Sequence, residues 1–235
     1  MNPPIVDAKA PVTLVAGGPL RRSELRAALK RAPHLVAADG GADRALAFGA
    51  EPEAVVGDLD SLSSAARARL GARVHEVPEQ ETTDFDKALR AIRAPLVLAV
   101  GLIGGRADHA LAALSGLMRH QAQGGGPVIL LGAEDVILAA PPVLDLRLRL
   151  GDRLSIYPLA PVTGRSAGLE WPIDGLELAP MARIGTSNRV SAAAVRLEFD
   201  APGALVILPR GRLDAAIRAV CPAADGAAPV RARAR

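Results

Sequence analysis

The feature that most restricts the fold is an alternation of two hydrophobic periods along the first 140 residues. Short aliphatic runs at 12–16, 35–38, 54–56, 74–77, 96–100 and 128–131 have the length and continuity of strands buried on both faces. Between them, segments 23–31, 42–48, 63–70, 84–92 and 108–120 carry apolar residues at helical spacing. Repeated strand–helix alternation predicts an α/β domain, a mostly parallel sheet flanked by helices. Cap chemistry supports the helix starts: Ser61, Ser63 or Ser64 can begin one, and Thr82 or Thr83 the next.

The pattern changes at Pro141-Pro142. Shorter runs follow at 143–150, 154–157, 168–171, 190–199 and 204–208, separated by turn residues, and 195–199 alternates strictly in and out. This predicts a C-terminal all-β sandwich domain, closed by a helix over 213–220. The expected organisation is an α/β catalytic domain over 1–140, a β-sandwich domain over 141–222 and a disordered tail over 223–235, rich in Ala, Pro and Arg.

Composition removes several function classes. Only 2% of residues are aromatic and the net charge is +3, so a stacking surface for nucleic acid is not expected. The longest apolar run, 96–105, is too short to span a bilayer. Cys221 is the single cysteine, which excludes an internal disulfide and fits a cytoplasmic protein. Lysine occurs only at Lys9, Lys30 and Lys87, so arginine carries nearly all the positive charge. None of the three lysines follows a glycine as in a phosphate-binding P-loop, and there is no G-x-G-x-x-G fingerprint or G-x-S-x-G elbow.

The polar residues collect where strands end, the place where α/β sheets bind ligands. Asp39-Gly40-Gly41 follows the second strand, Asp58-Leu59-Asp60-Ser61 the third, Thr82-Thr83-Asp84 the fourth, and Gly104-Gly105-Arg106-Ala107-Asp108-His109 the fifth. Asp58 and Asp60, two apart in an extended segment, point the same way and repel unless a cation lies between them. An isolated Asp-x-Asp is more often a capping turn; with Asp84 in the next loop, a Mg²⁺ site is expected. Gly40, Gly41, Gly104 and Gly105 allow the backbone to approach a phosphate, and Arg106 offers a fork to its oxygens. His109 reads equally as a phosphate donor or base and as a structural hydrogen-bonding residue. Trp171 reads as a stacking residue or a core tryptophan.

These segments, in this order, resemble the signatures of the thiamine pyrophosphokinase family: Asp39-Gly40-Gly41-Ala42, Gly57 to Ser61, Thr82 to Leu89 and Gly104 to His109, followed by Gly168-Leu169-Glu170-Trp171 and Thr186-Ser187-Asn188. The resemblance implies diphosphate transfer from ATP to thiamine. It implies Mg²⁺ on Asp58, Asp60 and Asp84 with Asp39 in support, ATP on Arg106, Asp108 and His109, and thiamine on Ser187 and Asn188, with Gln80 and Thr83 as secondary polar contacts. It also implies a homodimer whose active site is shared between subunits. Two positions depart from the family pattern: Ala107 replaces a larger apolar residue, and Arg189-Val190-Ser191 supplies no aromatic after Asn188. Transfer to another alcohol, such as a hydroxymethyl pterin, would keep the α/β site; the matches at 168–171 and 186–188 favour thiamine.

Overall fold

The computed structural model describes residues 3–222, so the expected tail at 223–235 lies outside the described residues. In chain order the elements are β1 (Val6–Asp7), β2 (Val12–Val15), α1 (Arg22–Leu29), β3 (His34–Ala38), α2 (Gly41–Ala47), β4 (Ala54–Gly57), α3 (Ser64–Leu70), β5 (Val74–Glu76), α4 (Asp84–Ala91), β6 (Ile92–Arg93), β7 (Val97–Val100), α5 (Ala107–Ala122) and β8 (Val128–Leu131). The second half contains β9 (Asp135–Ala139), β10 (Val143–Arg147), β11 (Arg153–Pro158), β12 (Gly164–Ala167), β13 (Gly185–Arg189), β14 (Ala194–Phe199), β15 (Ala204–Pro209) and α6 (Leu213–Val220).

One ten-stranded sheet organises the molecule, in the order β13-β11-β15-β9-β8-β7-β2-β3-β4-β5. Strands β8, β7, β2, β3, β4 and β5 pair in parallel. From β8 onward the sheet turns antiparallel through β9, β15, β11 and β13. The sheet as a whole is therefore mixed, and it runs without a break past residue 140, because β9 pairs with both β8 and β15. A second, three-stranded antiparallel sheet, β10-β14-β12, lies beside it, and β1 pairs with β6 alone.

Burial explains the arrangement. β2, β4, β7 and β8 are buried at every position, as a parallel strand covered on both faces requires. Leu25 and Ala28 of α1 and Ala45 of α2 pack with Val15, Leu98 and Val100. Phe85, Ala88 and Leu89 of α4 and Ala113 and Leu117 of α5 pack with Leu14, Val36 and Val56 in a separate core. The first core continues into the β region through Leu144, Leu146, Ile156, Leu197 and Val206, and α6 joins it through Leu213, Ala216 and Ile217. With so few aromatic rings, these cores are built mainly of Val, Leu, Ile and Ala, with Phe199 in the first and Phe85 in the second.

The sheet's strand order sets the site. The chain leaves β2 in one direction through β3, β4 and β5, then returns to the other side of β2 as β7 and β8. This makes a topological switch point between β2 and β7. There the two loops touch: the Gly18 N–H donates to the Gly101 carbonyl at 2.9 Å, and a Cβ on Gly18 would stand 2.4 Å from that oxygen.

Candidate active site

The acidic residues converge on the carboxyl ends of β3 and β4. One oxygen from each of Asp39, Asp58 and Asp60 lies within 4.8 Å of the others. An extended Asp-x-Asp segment does not produce this geometry, which corrects the expectation from the sequence. Leu59 has φ +67°, a left-handed turn, and its side chain is buried with Ala37, Ala42, Val55 and Leu70. The turn folds Asp60 back so that its N–H donates to Asp58 Oδ1 at 3.4 Å. Burial of Leu59 anchors the strained turn, and the strain presents both carboxylates on one side.

Asp39 is also left-handed, with φ +43°, between β3 and α2. Its Oδ2 accepts the Ser61 N–H at 3.1 Å; its Oδ1 is buried and has no partner. Burial, and then the charge of Asp84, raise the Asp39 carboxyl above its ordinary value. Asp84 opens α4, where Thr83 caps the helix in a reciprocal box with Asp86. Asp84 Oδ1 accepts the Asp58 N–H at 3.2 Å, which ties the start of α4 to the end of β4.

Sequence reasoning assigned no role to Lys87. Its Nζ donates to Asp58 Oδ2 at 3.0 Å and to Asp84 Oδ1 at 3.1 Å, and its side chain is 1% exposed. Burial alone would lower the Lys87 ammonium, but the hydrogen bonds to Asp58 and Asp84 outweigh it and hold it above the usual lysine range. The same hydrogen bond lowers the Asp58 carboxyl. A signal was present in the composition. In a chain that uses arginine almost everywhere, a lysine on the apolar side of a helix marks a slot for a compact ammonium rather than a planar fork.

The remaining site residues divide into three groups. Gln80 joins the acids, with its Nε2 donating to Asp58 Oδ2 at 3.2 Å, whereas the Thr83 hydroxyl donates to Asp86 at 2.7 Å. At the start of α5, Arg106, Asp108 and His109 are exposed, and Arg106 pairs with Asp108 at 2.6 Å, which lowers the Asp108 carboxyl. Gly105 packs against Pro19 beyond β2, where a Cβ would stand 2.6 Å from the ring, and Gly104 has φ +94°. Gly41 has a packing reason of its own, since a Cβ there would meet the Val15 carbonyl at 2.1 Å. Gly40 lies against Ser61 of the acidic loop.

In the β region, Asn188 commits its amide to the Gly168–Trp171 segment: Nδ2 donates to the Trp171 carbonyl at 2.6 Å and Oδ1 accepts the Trp171 N–H at 3.3 Å. That segment is a turn held by a bridge from Leu169 to Val190, not the strand expected at 168–171. Ser187 is exposed and left-handed at φ +60°. Trp171 is 52% exposed and so is not a core residue; Arg189 lies over its ring at 5.7 Å and pairs with Glu170 at 3.3 Å. Trp171, Ile184, Thr186 and Asn188 line a cleft of about 240 Å³. Among the described residues, no hydrogen bond or ion pair joins this cleft to the acidic cluster. A larger cleft of about 560 Å³ lies between the three-stranded sheet and α6, away from the acids.

A parallel sheet with clustered carboxylates and glycine turns at one edge, continued into an antiparallel β region, is an α/β fold whose acids stand where such sheets bind ligands. Residues 25–128 match the family model of the thiamin pyrophosphokinase catalytic domain, a stretch that contains every acid of the cluster and Arg106. Thiamin pyrophosphokinase 1 of Caenorhabditis elegans is 28% identical over 186 residues, covering 72% of this chain and 76% of that protein. A solved structure of a protein from Lactobacillus plantarum has a TM-score of 0.72 at 27% identity, over 86% of this chain and 99% of that one. The thiamin pyrophosphokinase of Candida albicans shares the fold at a TM-score of 0.73 and 17% identity, over 89% and 95% of the two chains. The chain is similar to the thiamin pyrophosphokinases, the family that its ordered motifs resemble.

Proposed function

We infer that this chain is an ATP:thiamine diphosphotransferase, forming thiamine diphosphate and AMP. The observation that carries the reading is the convergence of Asp39, Asp58 and Asp60 on one strand-end edge within the segment matched by the catalytic-domain family. The unpartnered buried oxygen of Asp39 supports a cation there, and an all-oxygen donor set suits Mg²⁺. Asp58 and Asp60 belong to both the ligand set implied by the motifs and the observed cluster. Asp39 joins them by proximity, and Asp84 stands beside them through its bond to the Asp58 backbone. Mg²⁺ held by these acids would neutralise charge on the polyphosphate.

In this reading the glycine turns at Gly40-Gly41 and Gly104-Gly105 face the phosphates, and Arg106, Asp108 and His109 hold the nucleotide. Arg106, released from Asp108, offers its fork to phosphate oxygens. The thiamine hydroxyl oxygen bonds to the β-phosphorus in line as the bond from that phosphorus to the bridging oxygen breaks; AMP carries the bridging oxygen away, and the hydroxyl proton is released to solvent. The chain contributes mainly positioning and electrostatics to such a step.

Residues 1–140 serve as the catalytic unit and 141–222 as the thiamine-binding unit, with Ser187, Asn188 and Trp171 at the vitamin and Gln80 and Thr83 in support. We read the enzyme as a homodimer in which this β region completes the acidic site of a second copy. The exposed apolar residues Trp171, Met181 and Ile184 support a covered surface there. The single buried Cys221 fits a reducing, cytoplasmic setting.

The test is turnover of purified protein with thiamine, ATP and Mg²⁺, with AMP and thiamine diphosphate quantified and a hydroxymethyl pterin run in parallel. Equimolar AMP and thiamine diphosphate are expected. ADP as the nucleotide product, or turnover with the pterin alone, would overturn the reading.

A further inference from the structure

We propose that Lys87 is a positioning residue that sets the carboxylate cluster in its cation-binding arrangement before any ligand arrives. The inference rests on the metal reading above and concerns a residue to which that reading gives no task. Asp58 and Asp84 come from different parts of the chain, the end of β4 and the start of α4. Left alone, two carboxylates pressed together at a sheet edge would swing apart. Lys87 prevents this from within. Its Nζ bridges Asp58 Oδ2 and Asp84 Oδ1 at 3.0 and 3.1 Å, and Asp84 Oδ1 in turn accepts the Asp58 N–H at 3.2 Å, which closes a ring of contacts. Gln80 adds a second donor to Asp58 Oδ2. With Oδ2 held on both sides, Asp58 Oδ1 is left to accept the Asp60 N–H at 3.4 Å, and Asp58 joins Asp39 and Asp60 in the cluster.

The side chain is 1% exposed, so the ammonium is placed to hold carboxylates and not to contact a phosphate. Charge and geometry then make opposite predictions. If Lys87 acted only as a counter-charge, its removal would leave the site more negative and tighten cation binding. If it positions the acids, its removal loosens cation binding despite the more negative site.

The experiment is Mn²⁺ titration of the full-length protein without nucleotide, read by electron paramagnetic resonance, for wild type and Lys87→Met. The expected result is at least tenfold weaker Mn²⁺ binding in Lys87→Met. In Mg²⁺ turnover, kcat falls about a hundredfold while the KM for thiamine stays within threefold. Equal or tighter Mn²⁺ binding in Lys87→Met overturns the inference and leaves the metal reading standing. No Mn²⁺ binding by wild type removes both. Should Lys87→Met fail to fold, Asp84→Asn is compared with Asp84→Asn/Lys87→Met, in which Asp58 is the one carboxylate of the ring left without the ammonium. A further tenfold loosening in the double variant supports positioning, and equal or tighter binding overturns it.

Discussion

Gly57 is the residue that lets Asp84 reach the acidic edge: a Cβ at position 57 would stand 3.0 Å from Asp84 Oδ1 and 2.9 Å from the Cβ of Asp39. The start of α4 therefore sits directly on the end of β4, and the glycine is required by this close approach. Gly57→Ala is expected to cost about 1–3 kcal/mol of stability through overpacking. It should lower kcat more than that loss explains, since the displaced atoms belong to two site carboxylates. Thermal melting and steady-state turnover on the same preparation check this, and a variant with normal kcat and a lowered melting temperature would confine Gly57 to packing.

Asp39 carries the opposite kind of cost. Burial first, and then the Asp84 charge, raise its carboxyl in the folded protein above 3.8. A carboxyl raised on folding contributes stability below its unfolded value and loses it as pH rises through the folded value. At neutral pH the ionised Asp39 thus works against the metal-free fold. Asp39→Asn keeps an oxygen for the Ser61 N–H and removes the charge, so it should raise the melting temperature by about 2–4 °C at pH 7 in EDTA. The gain should vanish below about pH 4, and turnover should fall sharply. A melting temperature that drops at pH 7 would show that ionised Asp39 is compensated within the protein itself.

Asp58 has the reverse sign. The Lys87 ammonium holds its carboxyl below 3.8, so its contribution to stability is present above that value and is lost as pH falls through the folded one. Asp58→Asn should flatten the acid limb of the stability profile and leave the fold intact at pH 7. It should abolish AMP formation, with a loss of at least about a hundredfold in kcat, the scale seen when one electrostatic contact to a reacting group is removed. Normal turnover in Asp58→Asn would remove Asp58 from the proposed ligand set.

The parallel half of the fold was legible because its strands are buried on both faces and leave unbroken aliphatic runs, as in β7 and β8. The turn from parallel to antiparallel was not. β9 follows β8 after only Gly132, Ala133 and Glu134, so its Asp-Val-Ile-Leu-Ala run reads as part of the approach to Pro141. β12 and β13 end their sheets and are built from small and polar residues, so no hydrophobic period marks them. In the site, residue types and strand-end positions were readable, but the left-handed turns at Asp39, Leu59 and Ser187 were not. Their strain is held by tertiary packing, such as the burial of Leu59, which no local pattern reports.

The vitamin side of the site is tested at Trp171. Its ring is half exposed, its backbone is clamped by Asn188, and Arg189 lies over the ring at 5.7 Å while pairing with Glu170. The ring is thus held at the surface, and the arginine has an acidic partner of its own beside it. Trp171→Ala removes no core packing, so its melting temperature should stay within about 2 °C of wild type. Loss of a stacking surface of this size should raise the KM for thiamine about tenfold, with the KM for ATP unchanged. Asn188→Ala releases the clamp and leaves the indole in place. It should reproduce part of the rise in thiamine KM if orientation of the ring matters, and none of it if the ring alone suffices. Steady-state kinetics with each substrate varied in turn separates these outcomes, and an unchanged thiamine KM in Trp171→Ala would take the tryptophan out of the vitamin site.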